Sequence, residues 1–245
     1  AKDPIVFEVE DDRVIAKNTT LGADDGIGVS FGLALLADDS IKHPAIEFVC
    51  TSDEERGLQG IENFDFTQLK GDYVINVDSD DEGVVVVGCA GGPVVKVNVP
   101  IRKVPADHKK EYYAIKITGL RGGHSGEDIH RGRANANKLL IRVLRALEEN
   151  VRFDLSDITG GLKYNAIPRN AEAVIGIEKE DKSAVDAVIE RFSGIFADEY
   201  RVNDPGITLE AVPQETADHI LDEASSRRVL DYIDFTETGI IRRDQ

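Results

Sequence analysis

The 245-residue chain is long enough for one large domain or two ordinary ones, and at 41% hydrophobic residues it can bury a core. With 46 acidic against 29 basic residues it carries a formal charge of -17, which repels phosphate backbones and anionic lipids and argues against nucleic-acid and membrane-surface roles. No signal peptide or 18-residue apolar span is read, and Cys50 and Cys89 lack disulfide-scaffold or zinc-knuckle spacing, so a cytoplasmic protein with both thiols in the core is expected.

In chain order, IVFEVEDDRVIA alternates around an Asp-Asp turn and predicts a hairpin. GIGVSFGLALLADD (26–39) predicts a helix. AIEFVCTS (45–52) reads as a buried parallel strand, and DEERGLQGIENF after it as a helix opening on acidic residues. GDYVINVDSDDEG (71–83) and VVVVGCAGG (84–92) predict two more strands. Strands separated by a helix indicate an α/β layer. The character changes near Gly91 to Pro93, where VVKVNVPIRKV and EYYAIKITGL alternate as half-exposed antiparallel strands do. A Gly-His loop follows, then a helix near 134–149, strands at 151–158 and 171–178, a helix at 182–201, the strand GITLEAV and a last helix. That alternation predicts a two-layer α+β domain over 93–245, after an α/β domain over 1–92.

Chemistry concentrates at three strand or loop ends: Asp24-Asp25, Glu54-Glu55 and Asp78. Ligand sites in open α/β sheets lie beyond the carboxyl ends of strands. Converging carboxylates there supply bridging and terminal ligands for two cations, with one left as a general base. Each cluster alone has an ordinary explanation in turn chemistry or helix-dipole stabilisation. Two other motifs are set aside. GIGVSFG (Gly26, Gly28, Gly32) nearly matches a dinucleotide fingerprint, but Asp24 and Asp25 stand where an apolar strand is needed, so its glycines are read as letting a helix pack closely. DSDDEG copies the first half of a calcium loop, but its twelfth position is Cys89, where a bidentate Glu is needed.

The segments TTLGADDGIG, TSDEERG, INVDSDDEG running into GCAGG, GGHSGEDIHRGRANANKLL and NAIPRNA, within residues 19–171, together resemble the co-catalytic zinc exopeptidases, in particular the aminoacyl-histidine dipeptidases. The resemblance implies a two-zinc site, with manganese or cobalt as other metals that carboxylates accept. It implies hydrolysis of carnosine-like Xaa-His dipeptides. Asp24 then matches the bridging ligand, joined to Asp25 by a cis peptide bond. Glu54 matches the general base, and Glu55 and Asp78 the terminal metal ligands. His124 matches a histidine that reaches across a homodimer interface to support the substrate's carbonyl oxygen. Asn165 and Arg169 fall where relatives handle the substrate's carboxylate end. A lid domain that makes the dimer is implied for 93–245. His43, His108, His130 and His219 receive no role.

The sequence also departs from that pattern. No His-x-Asp precedes Asp24, no returning catalytic segment follows the lid-like region, and the chain has no Met. The expectation is a partial enzyme lacking both flanks of its catalytic domain; a non-catalytic dimerisation or interaction remnant is the alternative.

Overall fold

A computed structural model describes residues 3–79, 83–88 and 91–242, and it divides into two compact units, Ala1–Gly91 and Gly92–Gln245. In the first unit, β1 (Phe7–Glu10) and β2 (Arg13–Ala16) form the expected hairpin, turning at Asp11 in the left-handed region. Helix α1 (Gly26–Ala37) follows. Two of its three glycines, Gly28 and Gly32, act as packing surfaces, whereas an added Cβ on Gly26 would meet nothing within 4 Å. A Cβ on Gly28 would sit 2.6 Å from a Val77 methyl, and one on Gly32 would sit 2.2 Å from the Phe48 ring. The helix therefore lies directly on the runs that contain Phe48 and Val77. Its other sides are apolar too: Ile27, Phe31, Leu33 and Leu36 are all more than half exposed. A short helix α2 (Gln59–Glu62) approaches the end of the first run, where a Cβ on Gly60 would meet the Ser52 carbonyl at 2.1 Å.

Several sequence expectations fail in and beside this unit. Residues 45–52 and the described parts of 71–83 and 84–92 contain no assigned strand, and of the run 94–104 only Lys103 and Val104 are in one. Apolar, β-branched composition supplies strand propensity, but a strand exists only through ladder partners, and these runs have none among the described residues. The exposure follows: Val74, Ile75, Val85 and Val87 are all more than four-fifths accessible. Cys50 is exposed, against its expected place in a core. Cys89, and Asp80 to Glu82 of the DSDDEG segment, lie outside the described residues.

The second unit holds the folded core. Its principal sheet has the order β6 (Phe153–Gly160), β8 (Ala171–Ile177), β4 (Glu111–Thr118), β9 (Thr208–Gln214), all antiparallel. In the register of the central strands Ile115 faces Ala173 on one side and Ala211 on the other. Alternation makes one face apolar, and two helices cover it: α3 (Ala136–Glu148) and α4 (Lys182–Glu199). The spacing of Leu140, Val143, Leu144 and Leu147 puts a continuous stripe on the sheet side of α3, and all four are buried. Asn135 starts α3, its side chain accepting from Asn137 and Lys138 N–H groups. On α4, Phe192 and Phe196 pack edge-to-face at 5.5 Å, and the Arg142 guanidinium lies 5.0 Å above the Phe196 ring.

β6 carries a bulge between Leu155 and Asp157, and Ser156 there donates to the His219 carbonyl at 2.8 Å. His219 opens β10 (His219–Leu221), which pairs with β3 (Lys103–Pro105). Helix α5 (Glu223–Phe235) closes the unit, capped by Asp222 at its start and by Lys138 at its end. The Lys138 ammonium donates there to the Ile233, Asp234 and Thr236 carbonyls. The whole is the mixed α/β architecture expected.

Candidate functional site

The carboxylates of the first unit stand at chain turns. The Asp24–Asp25 peptide bond is cis, as the resemblance implies. Asp25 caps α1, its Oδ1 accepting from Gly28 N–H at 2.9 Å, which leaves the exposed Asp24 just outside the helix. Asp78 follows Val77, so its segment reaches the same first turn of α1, and its backbone N–H donates to Asn76 Oδ1 at 2.9 Å. Glu54 and Glu55 occupy a single tight turn between left-handed residues: Asp53 before it, Gly57 and Leu58 after it. Both side chains are exposed.

Oxygen donors of this kind suit divalent cations. Among the described residues, however, no three His, Cys, Asp or Glu side chains stand close enough to hold one. His43, the histidine of this unit, is turned to the Pro44 carbonyl at 2.7 Å. The donor chemistry fits a metal; the described arrangement does not close a metal site.

The second unit builds a defined platform around His124. β5 (Gly123–His124) pairs with β7 (Ala166–Ile167), placing His124 opposite Ala166, and Ser125 N–H donates to the Asn165 carbonyl at 2.8 Å. His124 and Asn165 thus leave neighbouring strands at one end, both exposed. The ring nitrogen Nδ1 of His124 accepts from Gly126 N–H at 3.1 Å and Glu127 N–H at 3.2 Å. A nitrogen that accepts carries no proton, so the neutral ring is protonated at Nε2, which becomes a hydrogen-bond donor.

Asp128 fixes the backbone beneath that ring. Its Oδ2 accepts from His124 N–H at 2.9 Å, and its own N–H donates back to the His124 carbonyl at 2.9 Å. The His124 N–H bond, with the nearby Arg131, Arg133 and His130 charges, holds the Asp128 carboxyl below the usual range despite some burial. Gly123 is obligatory here: its φ is +138°, and a Cβ would lie 2.4 Å from Asp128 Oδ2. Arg169 folds over the same loop, its stem against Gly122 and its Nε donating to the Leu120 carbonyl at 3.3 Å.

Beside this platform opens a cleft of about 870 Å³. Ser125, His130, Asn137, Lys138 and Tyr164 are among the residues lining it. His130, given no role from sequence, is therefore at a cavity wall. Asp128 is a second residue that sequence reading missed; its signal was an Asp four positions after a histidine in a glycine-rich loop.

Comparison with known proteins places these features. Residues 115–204 match the peptidase dimerisation domain family. Over 244 residues, 98% of this chain, the sequence is 35% identical to the cytosol non-specific dipeptidase of Escherichia coli, covering 50% of that protein. The crystal structure of the aminoacylhistidine dipeptidase of Vibrio alginolyticus matches with a TM-score of 0.73 and 32% identity, covering 99% of this chain and 50% of that one. The chain is similar to these two dipeptidases over nearly its whole length. It spans about half the length of these dipeptidase relatives. A shorter stretch of 76 residues, 29% of the chain, is 37% identical to the uncharacterized protein YqjE of Bacillus subtilis, covering 20% of it. Within this chain, His124, Asn165, Arg169 and most of the cleft lining fall inside the dimerisation-domain match, whereas Asp24, Glu54, Glu55 and Asp78 fall outside it. No helix among the described residues is long and apolar enough to cross a membrane.

Proposed function

We propose that the chain supplies the carboxylate-bearing segment and the dimerisation domain of a metal-dependent dipeptidase that cleaves Xaa-His and related dipeptides. The observation that carries this reading is the 35% identity to a dipeptidase over 98% of the chain. Residues 1–92 belong, in this proposal, to the catalytic domain and 93–245 to the lid through which two copies pair. Asp24, Glu55 and Asp78 are the proposed ligands of two zinc ions, which would supply Lewis-acid polarisation when bound. The described residues do not close that site.

Glu54 takes a proton from the attacking water as its oxygen bonds to the peptide carbonyl carbon. The C–N bond then breaks, and Glu54 returns the proton to the leaving amine. The Nε2–H of His124 of the partner subunit donates to the carbonyl oxygen as it gains negative charge; the tautomer set by the Gly126 and Glu127 N–H groups supports that role. Asn165 and Arg169 receive the dipeptide's terminal carboxylate. A cytosolic location is part of the proposal, following the name of the Escherichia coli relative.

A second reading, a dimerisation or interaction module without catalysis, is favoured by one observation: the described carboxylates gather no three-ligand group. Hydrolysis of a carnosine-type dipeptide in the presence of zinc separates the two. The dipeptidase reading predicts turnover by the complete protein that contains this segment, and Glu54→Gln there abolishes turnover while dimerisation persists. Turnover unaffected by Glu54→Gln would remove Glu54 from the base role, and dimers without turnover would favour the module.

A further inference from the structure

Asp204 is fully buried, yet it carries a carboxylate. Its Oδ1 accepts from Arg121 N–H at 2.7 Å and its Oδ2 from Ala134 N–H at 2.7 Å. These donors stand at the two ends of the loop that carries His124, so one side chain ties both roots of that loop together. The surrounding turn repeats the attachment. Asn203 donates its side-chain N–H to the Gly132 carbonyl at 3.0 Å, and a Cβ on Gly119 would lie 1.9 Å from the Gly206 carbonyl. Two bonds from the turn itself hold it in place: Asp204 N–H to the Tyr200 carbonyl, 2.8 Å, and Ile207 N–H to the Asp204 carbonyl, 3.2 Å.

We propose that Asp204 is a positioning residue for His124. Its carboxylate fixes the span between Arg121 and Ala134. Within that fixed span Asp128 holds the His124 amide, and the Gly126 and Glu127 N–H groups reach Nδ1, which leaves Nε2–H as the donor. A carboxylate suits the place because it offers an acceptor to each of two backbone donors. Asp204→Asn keeps the shape but turns an NH2 toward one of those N–H groups, donor against donor, in a site without water access to relieve it.

The functional meaning rests on the proposed carbonyl-supporting role of His124, but the test reads hydrogen bonding and not turnover. A chain that hydrolyses no dipeptide yet shows the linked loop would refute that role and keep the clamp. The whole chain, labelled with 15N, is compared with Asp204→Asn. Loss of a bond to a buried charged acceptor is expected to speed exchange of the Gly126 and Glu127 amides about 10- to 100-fold. The His124 Nδ1 resonance is expected to move toward that of a solvent-exposed imidazole, with Ile115 and Leu140 signals unchanged. An unaltered His124 ring and unaltered loop amides in a folded Asp204→Asn chain overturn the proposal. Should that variant not fold, native-state exchange of the unaltered chain decides. Arg121, Gly126, Glu127 and Ala134 must then open as one unit; Gly126 and Glu127 opening far more readily than Arg121 and Ala134 overturns it.

Discussion

Two glycine-to-alanine substitutions in the second unit are predicted to move stability in opposite directions. Gly123 sits at φ +138°, where an L-residue is strained by about 1–3 kcal/mol. A Cβ there would also meet Asp128 Oδ2 at 2.4 Å and Arg133 Nη1 at 2.5 Å. The carboxylate it displaces is the one that accepts from His124 N–H. Gly123→Ala therefore destabilises by at least the backbone strain, and it frees the His124 loop. Gly194 lies within α4 with nothing within 4 Å of an added Cβ, so Gly194→Ala stabilises by up to about 1 kcal/mol through helix propensity. Five of the six tyrosines lie in the second unit and none of the chain is Trp, so tyrosine fluorescence follows that unit's melting. In domains of this size each kilocalorie lowers the midpoint by about 2–4 °C. A Gly123→Ala chain that melts within a degree of the unaltered protein would refute the steric argument, as would a Gly194→Ala chain that melts lower.

Leu144 is fully buried between α3 and the sheet, and Leu144→Ala is expected to cost about 2–5 kcal/mol in denaturant unfolding of the second unit. A loss under a kilocalorie would mean that the helix face is not the core. Asp222 caps α5; hydrogen bonds from the Ser225 side chain, from Arg102 and from Ser225 N–H, in that order, lower its carboxyl from 3.8 to about 2. Its folded value lies below its unfolded one, so its contribution is fully present above pH 3.8 and is lost as pH falls through about 2. Circular dichroism between pH 5 and 2 should show Asp222→Ala losing less helix stability over that window than the unaltered chain; equal losses would remove Asp222 from the cap. With the opposite sign, Tyr113, pushed up to about 12 by burial and by its bond to Glu111, should be the last tyrosine to ionise in an alkaline absorbance titration.

Legibility from sequence followed the physics of each element. In the second unit the period-two run of β4 and the 3.6-period stripe of α3 carry their own partners within the unit, so pattern and structure agree. In the first unit the same kind of apolar run at 45–52 predicted a strand that is not there, because composition encodes propensity and not the neighbouring edge that makes a ladder. Asp24 and Asp25 exclude a pyrophosphate, so the glycines of α1 read as packing surfaces, and Gly28 and Gly32 are such surfaces while Gly26 is not. His124 entered only through resemblance: a lone loop histidine has no period to read. The support beneath it was partly visible in Asp128, four residues on, and not at all in Asp204. Its bonds to Arg121 and Ala134 join residues 83 and 70 positions apart, a closure that only the fold reveals.

The central proposal is that Asp24, Glu55 and Asp78 belong to one metal site with Glu54 beside it. Elemental analysis of the purified chain, dialysed against metal-free buffer after zinc loading, tests it most directly when run beside Asp24→Ala. Zinc retained by the unaltered chain and lost from Asp24→Ala is the predicted result. No retention by the unaltered chain, or equal retention by both, would contradict it.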